Sequence, residues 1–309
     1  MSPGGFETTE SRSTLVGTMP VRRALPQRKR RTIGAWCFAD HAGPVDFAGP
    51  EGPDVGPHPH IGLQTVTWLL TGELVHRDSL GSEQRIRPGE LNLMTAGRGI
   101  AHAEEAVTPF RGTFHGIQLW VAQPESTRHG DPAFEHHASL PQAAVSGGVA
   151  TVLLGAFAGV TSPARRDSDH MGVELDLLGP TTTLALRPEF EHGVIVLSGG
   201  LVCEGQPLGP GALGYLDTGR ETCELRVTEP TRAILLGGVP FDEPILMWWN
   251  FVARNRSEID DAYRRWSDED SQFGQVSSRL ERVRVGAPLW RDRTETPRPG
   301  EGTNPSGSR

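Results

Sequence analysis

The amino-acid sequence predicts an all-β fold built of two small barrels in tandem, followed by a short helix. Three observations carry this prediction. Short β-branched and aromatic runs, bounded by turn residues, recur along the chain. The second half repeats part of the first, and a helical pattern begins near residue 257. The 38 glycines and 25 prolines among 309 residues suit a chain with many turns.

The internal repeat predicts two barrels of common origin. The heptapeptide LLTGELV at residues 69–75 matches VLSGGLV at residues 196–202, an offset of 127 residues. A Pro-Gly turn at residues 88–89 recurs at residues 210–211. Self-similarity of this kind indicates one structural unit used twice.

Two pairs of potential metal ligands occur in the first half. His58 and His60 form one pair, and His102 and Glu104 form the other. Side chains at i and i+2 of a strand point to the same face, so two such strands could bring three imidazoles and one carboxylate to one point. This set suits a divalent transition metal with open positions, Fe(II) above all, with manganese, nickel, copper or zinc as alternatives.

The second half lacks the equivalent ligands. The offset places Ala185 and Arg187 where His58 and His60 stand, and no histidine occurs in the segment that follows Pro210-Gly211. We therefore predict that the second barrel binds no metal and is structural or gates access to the first.

The end of the chain carries the helical pattern. Ser257 and Asp260 have the spacing of a capping box, and apolar residues recur at helical intervals from Ile259 to Trp266. We predict a helix over about 257–268 that packs on a barrel. The predicted domain plan is a disordered tail (1–20), a metal-binding barrel (21–125), a linker (126–146), a metal-free barrel (147–245), a helical extension (246–289) and a second disordered tail (290–309).

Composition and charge exclude several classes of protein. The net charge of −8 argues against nucleic-acid binding, and no apolar run approaches the length of a membrane helix. The N-terminus lacks the pattern of a secretory signal. The three cysteines form no CxxC pair, which suits a reducing cytoplasm, and they are expected to be core residues, with ligation by Cys203 and Cys223 as the alternative. A monomer in the cytoplasm is expected.

Four segments carry a specific resemblance. They are HPHIGLQTVTWLLTGEL at residues 58–74, HRDSLG at 76–81, PGELNLMTAGRGIAHAE at 88–104 and HGIQLWV at 115–121. Together they resemble the pirin family of the cupin superfamily, and WCFADHAGPVDF at residues 36–47 is similar to the family's opening segment. The resemblance is strong over residues 30–125 and looser to about residue 255.

The resemblance implies a bicupin fold with one mononuclear site, of the iron type, in the first barrel. The family's ligand positions fall on His58, His60, His102 and Glu104. Gln64 departs from the family pattern, which usually has Glu there, and Ala42 stands where Met is frequent. Glu104 is therefore the sole anionic ligand expected.

Several other residues are candidates for the pocket. Glu104 could act as a catalytic base or remain a plain ligand. His76 could line the pocket or pair with Asp78, and Gln118 is expected to offer a hydrogen bond there, with Gln64 as a further possibility. His115 is expected to hydrogen-bond behind the ligands. His136 and His137 are interpreted as surface residues because adjacent residues of a strand face opposite sides.

Three functions are consistent with these observations. The resemblance implies a dioxygenase that opens a flavonol such as quercetin, with a small aromatic or enediol substrate and O2 as partners. It also implies, as the alternative, a non-enzymatic redox-sensing regulator that binds a transcription factor or a metabolic enzyme. A third hypothesis is an isomerase or hydrolase that uses the metal as a Lewis acid.

Overall fold

The computed structural model describes residues 5–17, 19–48, 52–107 and 110–291. The described residues form strands and one short helix, which confirms the predicted all-β fold of two barrels. Most of the predicted C-terminal tail lies outside the described residues.

Two sheets form the first barrel. The larger has the strand order β12-β9-β6-β11-β4-β3-β2, and the smaller has the order β5-β10-β7-β8. The strands are β2 (Arg12–Val16), β3 (Met19–Leu25), β4 (Trp36–Phe47), β5 (Val55–His60), β6 (Leu63–Thr71), β7 (Leu74–Asp78), β8 (Glu83–Ile86), β9 (Leu91–Thr95), β10 (Ile100–Ala106), β11 (Gly112–Ala122) and β12 (Ala133–His137).

One large sheet forms the second barrel. Its main path runs β1-β21-β19-β22-β17-β14-β13, with β18 beside β22 and β20 beside β19. The strands are β1 (Phe6–Thr9), β13 (Gln142–Val145), β14 (Gly148–Leu154), β17 (His170–Leu177), β18 (Thr181–Ala185), β19 (Glu191–Cys203), β20 (Gln206–Leu208), β21 (Leu213–Leu216) and β22 (Thr222–Gly238). Two small hairpins pair β15 (Ala156–Phe157) with β16 (Val160–Thr161) and β23 (Leu246–Trp248) with β24 (Phe251–Ala253).

The N-terminal segment differs from the predicted disordered tail. Strand β1 pairs with β21 of the second barrel, and β2 pairs with β3 of the first. Phe6 packs against the core of the second barrel. These strands are short and polar, so their own sequence gives little signal, and existing sheet edges supply their hydrogen bonds.

The predicted linker also contributes strands. Residues 133–137 pair with β9, and residues 142–145 pair with β14. Each strand adds an edge to a different sheet, and edge strands need not be apolar on both faces. The exact domain boundaries stay a prediction.

Helix α1 spans Arg256–Ser267, close to the predicted range. The predicted cap is wrong by two residues, because Asn255, not Ser257, accepts the N–H of Glu258. Asn255 has extended backbone and Glu258 reaches back to its side-chain amide, so this pair outcompetes Ser257 and Asp260. The buried face of the helix packs against Ala101 of the first barrel. Among the described residues, no helix is long and apolar enough to cross a membrane.

The two barrels share an apolar core between their sheets. Trp36 of the first barrel is fully buried and donates its indole N–H to the carbonyl of Met171 at 2.9 Å. Its ring lies where a side chain at position 172 would have to sit, which explains Gly172. Trp36 thus joins the first barrel to the second by a hydrogen bond and by close packing.

Glu191 of the second barrel occupies a position that the internal repeat relates to a residue of the first barrel. It stands where Gln64 stands in the first barrel, 127 residues earlier. Its carboxylate accepts the hydroxyl of Tyr215 at 2.7 Å and the backbone N–H of Gly34, which belongs to the first barrel. The carboxylate therefore joins the two barrels.

The three cysteines are buried free thiols, as expected of core residues. Burial raises the pKa of Cys37 to about 12. Cys203 and Cys223 lie with their Sγ atoms 3.4 Å apart, and the hydrogen bond between them, together with burial, raises the pKa of Cys203. Thiols held in this protonated state are poor metal ligands.

His192 is a buried polar residue in the second barrel whose effect on stability can be tested. It is fully buried, and neither ring nitrogen has a hydrogen-bond partner. Burial first, and then the positive charge of Arg187, lowers the pKa of His192 to about 4. Between about pH 6.5 and pH 4 the unfolded imidazole binds a proton that the folded one does not, so stability falls as the pH falls.

The His192→Leu variant is expected to be more stable by about 1 kcal/mol at neutral pH, because it removes two unsatisfied polar atoms. Its advantage should grow by up to about 1.4 kcal/mol per pH unit below pH 6.5. Urea unfolding at several pH values measures both. His129→Leu, at an exposed position, is the control and should change neither. A stability difference between variant and parent that stays constant from pH 7 to pH 5 would show that His192 is not held neutral in the folded protein.

Candidate metal centre

The register between β5 and β10 brings the predicted histidines together. His102 lies directly opposite His58, and Ile100 lies opposite His60. Because alternate residues share a face, all three imidazoles project from the same side of this strand pair. The turn before β10 uses glycines at positive φ, at Gly97 and Gly99.

The three imidazoles converge. Among the described residues, His58, His60 and His102 form the group of donor atoms that all lie within 4.8 Å of one another. The Nε2 atoms of His60 and His102 are 3.1 Å apart, and the His58 and His102 ring centroids are 4.3 Å apart. All three side chains are buried.

Each imidazole is held through its Nδ1 atom. His58 Nδ1 lies 2.8 Å from the carbonyl oxygen of Gly56, and His60 Nδ1 lies 3.1 Å from that of Asn250. Since a carbonyl only accepts, both Nδ1 atoms carry the proton and both Nε2 atoms keep a lone pair. This tautomer is the one that presents Nε2 to a metal.

His102 is held by a chain of two further groups. Its Nδ1 lies 3.3 Å from Nδ1 of His76, and His76 Nε2 lies 3.2 Å from Oδ2 of Asp78. The arrangement that satisfies every atom has His102 donating to His76 and His76 donating to Asp78. Hydrogen bonds from His76 and Ser82 outweigh the effect of burial and lower the pKa of Asp78. The ionised carboxylate thus fixes the orientation of His102 through His76.

The imidazoles are neutral in the metal-free protein. Burial lowers the pKa of His58 to about 4 and holds the pKa values of His60 and His102 well below their usual range, with repulsion among the rings adding to the effect. Three neutral, buried nitrogens with converging lone pairs have no donor for one another. A cation is the group that satisfies them together.

Glu104 lines the same cavity but lies outside the three-histidine group. Its Oε1 accepts the hydroxyl of Thr67 at 3.0 Å, and the side-chain amide of Gln118 lies 3.0 Å from the same hydroxyl. Burial raises the pKa of Glu104, while His76 and Thr67 act in the opposite direction. Glu104, Thr67 and Gln118 thus form one hydrogen-bonded wall beside the histidines.

The other candidates occupy different places. Gln64 donates to the hydroxyl of Thr95 at 2.9 Å and is not among the cavity residues. His76 pairs with Asp78 behind His102, which was one of its two expected roles. His115 contacts His41, with their Nε2 atoms 2.8 Å apart, and holds none of the three histidines. His136 and His137 are half-buried on the edge strand β12.

The three histidines line a cavity of about 540 Å³. This is within the usual range for a site that binds a small organic molecule. Its aromatic wall includes Phe38 and Trp120, whose rings stack 3.9 Å apart. Its apolar lining includes Val16, Met19, Val21, Leu69, Leu74 and Phe114.

Sequence reasoning missed two parts of this cavity. Arg23 and Asp40 form a bidentate ion pair in the wall, with N–O distances of 2.7 and 2.6 Å. Trp249 and Asn250 reach the cavity from beyond the second barrel. The positive φ of Trp249 could not be read from the sequence, and the Arg23–Asp40 pair depends on the β3–β4 register.

The residues present fit a metal, and the second barrel shows no comparable group within the described residues. Ala185 and Arg187, at the repeat positions, are both exposed, and Arg187 pairs with Asp169 and Glu189. The described residues therefore offer one centre in the chain.

Comparison with known proteins agrees with this architecture. The family model described as Pirin matches residues 18–121, and the model described as Pirin C-terminal cupin domain matches residues 174–273. The first match covers most of the first barrel, and the second covers most of the second barrel together with the β23–β24 hairpin and helix α1. Together the two matches cover more than half of the chain.

Individual relatives extend the match over most of the chain. A Pseudomonas aeruginosa protein named "Putative quercetin 2,3-dioxygenase" is 47% identical over 273 residues, which are 88% of this chain and 86% of the relative. A pirin-like protein of Caulobacter vibrioides is 37% identical, over 83% of this chain and 91% of the relative. The crystal structure of quercetin 2,3-dioxygenase from Acinetobacter baumannii superposes with a TM-score of 0.88 at 44% identity, covering 92% and 95% of the two chains.

Proposed function

Because the chain belongs to the pirin family, we propose that it is a metal-dependent dioxygenase that acts on a flavonol such as quercetin. One observation carries the proposal. Three neutral imidazoles converge in a cavity of about 540 Å³ whose lining also includes aromatic and aliphatic side chains and a few polar groups. A planar, mostly apolar molecule with a few hydroxyl groups would suit this lining.

His58, His60 and His102 would hold the metal, with Glu104 as the nearby carboxylate. We favour Fe(II), since a site of imidazoles and a carboxylate with open positions is typical of non-haem iron oxygenases. When bound, the metal would supply Lewis acidity toward an enol- or catechol-type hydroxyl and one-electron chemistry toward O2.

The protein's own groups would bind and deprotonate the substrate. Phe38 and Trp120, stacked on each other, would form an aromatic wall beside His60, whose ring is 5.2 Å from that of Trp120. Glu104 would take the proton of the substrate hydroxyl on Oε2, because Oε1 already accepts the hydroxyl of Thr67. Its place outside the three-histidine group favours this role over that of a plain ligand.

The activity is tested by oxygen uptake with quercetin. The protein is purified without added metal, analysed for metal content and loaded with Fe(II). We expect uptake that requires both quercetin and iron, with both atoms of isotopically labelled O2 found in the ring-opened product. A panel of enediols tests the substrate class.

Oxygen uptake with an enediol but not with quercetin would support the oxygenase activity but reject a flavonol as the substrate. Full metal occupancy with no turnover of any substrate would reject the enzyme and favour a regulator that binds a protein partner. Turnover of a substrate without oxygen uptake would favour the isomerase or hydrolase.

A further inference from the structure

Trp249 has a backbone conformation that its residue type disfavours. Strands β23 and β24 form a hairpin in which Trp248 pairs with Phe251, so Trp249 and Asn250 are the two residues of the turn. The φ angle of Trp249 is +51°, in the left-handed region. Glycine is the usual residue at positive φ in such turns, and a bulky side chain is an outlier there.

The indole occupies a specific place because of this backbone. Trp249 lines the cavity that contains the three histidines. Its ring packs edge to face on Phe251, at a centroid distance of 5.5 Å and an interplanar angle of 85°. The side chain is half-buried, so part of the ring contacts protein and part is left for a ligand. Strained residues of this kind persist where their side chain is needed.

The same turn holds one of the histidines. The carbonyl of Asn250 accepts the Nδ1–H of His60 at 3.1 Å. The indole and the orientation of His60 are thus set by adjacent residues of one hairpin turn. A ring that contacts Trp249 therefore stands at a fixed offset from the Nε2 atom of His60.

We propose that Trp249 is a specificity-determining residue. It forms the platform on which the planar ring system of the substrate stacks while the hydroxyl end of the substrate faces the histidines. The inference rests on the proposed function of this cavity and names the contact that selects planar aromatic molecules. Offset stacking on an indole favours flat rings over puckered or branched groups of similar area.

Trp248 provides the matched comparison. It is the neighbouring indole in the same hairpin, but it is not among the cavity residues. Its ring contacts Tyr263 and Trp290 on the side of the helix, at centroid distances of 5.9 and 6.2 Å. Its ring also contacts that of Trp249, at a centroid distance of 6.2 Å. Trp248→Phe keeps a ring against these neighbours and replaces no residue of the cavity lining.

The test is equilibrium binding measured without oxygen, on protein loaded with Zn(II). Quercetin and flavone, which lacks hydroxyl groups, are titrated into the parent and into Trp249→Gly, Trp249→Phe and Trp248→Phe. Metal content is measured for every sample. Glycine suits the left-handed backbone, so Trp249→Gly is expected to keep the fold and the metal.

We expect Trp249→Gly to weaken the binding of both ligands by about tenfold or more. Trp249→Phe restores a ring and should bind within about threefold of the parent. Trp248→Phe should bind as the parent does. Equal affinities of the parent and Trp249→Gly would overturn the inference, as would a Trp249→Phe variant as weak as the glycine variant.

The two proposals fail separately. If Trp249 governs flavone and quercetin binding but the iron-loaded parent consumes no oxygen, the platform stands and the dioxygenase is rejected. If the parent turns quercetin over and Trp249→Gly has an unchanged KM, the dioxygenase stands and the platform is rejected. A parent that binds neither ligand rejects the platform outright.

Discussion

The His102→Ala variant is expected to lose nearly all of its metal. His102 supplies one of the three converging imidazoles, and its removal also leaves His76 without the Nδ1–H that it accepts. His58→Ala should behave in the same way. We expect metal affinity at least about 100-fold lower in each variant, which elemental analysis after dialysis against a weak chelator will measure.

His136→Ala is the matched control for this experiment. His136 is also a half-buried histidine of the first barrel, but it lies on the edge strand β12 and hydrogen-bonds to Asn92. It should bind metal as the parent does. A His58→Ala or His102→Ala protein that keeps a full equivalent of metal would show that the centre lies elsewhere.

Glu104→Gln is expected to have the second largest effect, on turnover. The amide keeps the shape of the side chain but removes the proton acceptor, and a general base contributes about 100-fold or more to a rate. Turnover per bound iron should fall far more than metal occupancy does. The loss of the negative charge should also raise the Fe(III)/Fe(II) potential, because ferric iron loses more from the missing anion.

Gln64→Glu is the control for Glu104. Gln64 is turned toward Thr95, away from the cavity, so a carboxylate there should leave turnover per iron close to that of the parent. Unchanged turnover per iron in Glu104→Gln would eliminate the role of base. Recovery of metal binding when both changes are combined would show that position 64 faces the centre after all.

The sequence predicted that these histidines share one face because strand spacing is a local property of the chain. The i, i+2 spacing of His58 and His60 places both on one face of any strand that contains them. The β5–β10 register places His102 beside His58. His102 and Glu104 have the same spacing, but the register shifts between them, and Glu104 lies outside the three-histidine group. The internal repeat likewise predicted a second barrel in which Ala185 and Arg187 replace the first histidine pair.

The parts that sequence reasoning missed depend on contacts between distant segments. Asn250 supports His60 from 190 residues away, and nothing near either residue indicates that contact. Gln64 was a possible pocket residue, yet its side-chain amide donates to Thr95 on the neighbouring strand β9. Strand β1 forms because β21 offers an edge, and this cannot be read from the short polar segment at residues 6–9.

The central claim is that one metal, held by the three histidines, is responsible for oxygen-dependent turnover. The measurement that tests it most directly is oxygen uptake with quercetin as the Fe(II) content is raised stepwise. The account predicts uptake that rises in proportion to iron, stops rising at one equivalent per chain and is absent in His102→Ala at every loading. Uptake that keeps rising toward two equivalents, or that persists in His102→Ala, would contradict it.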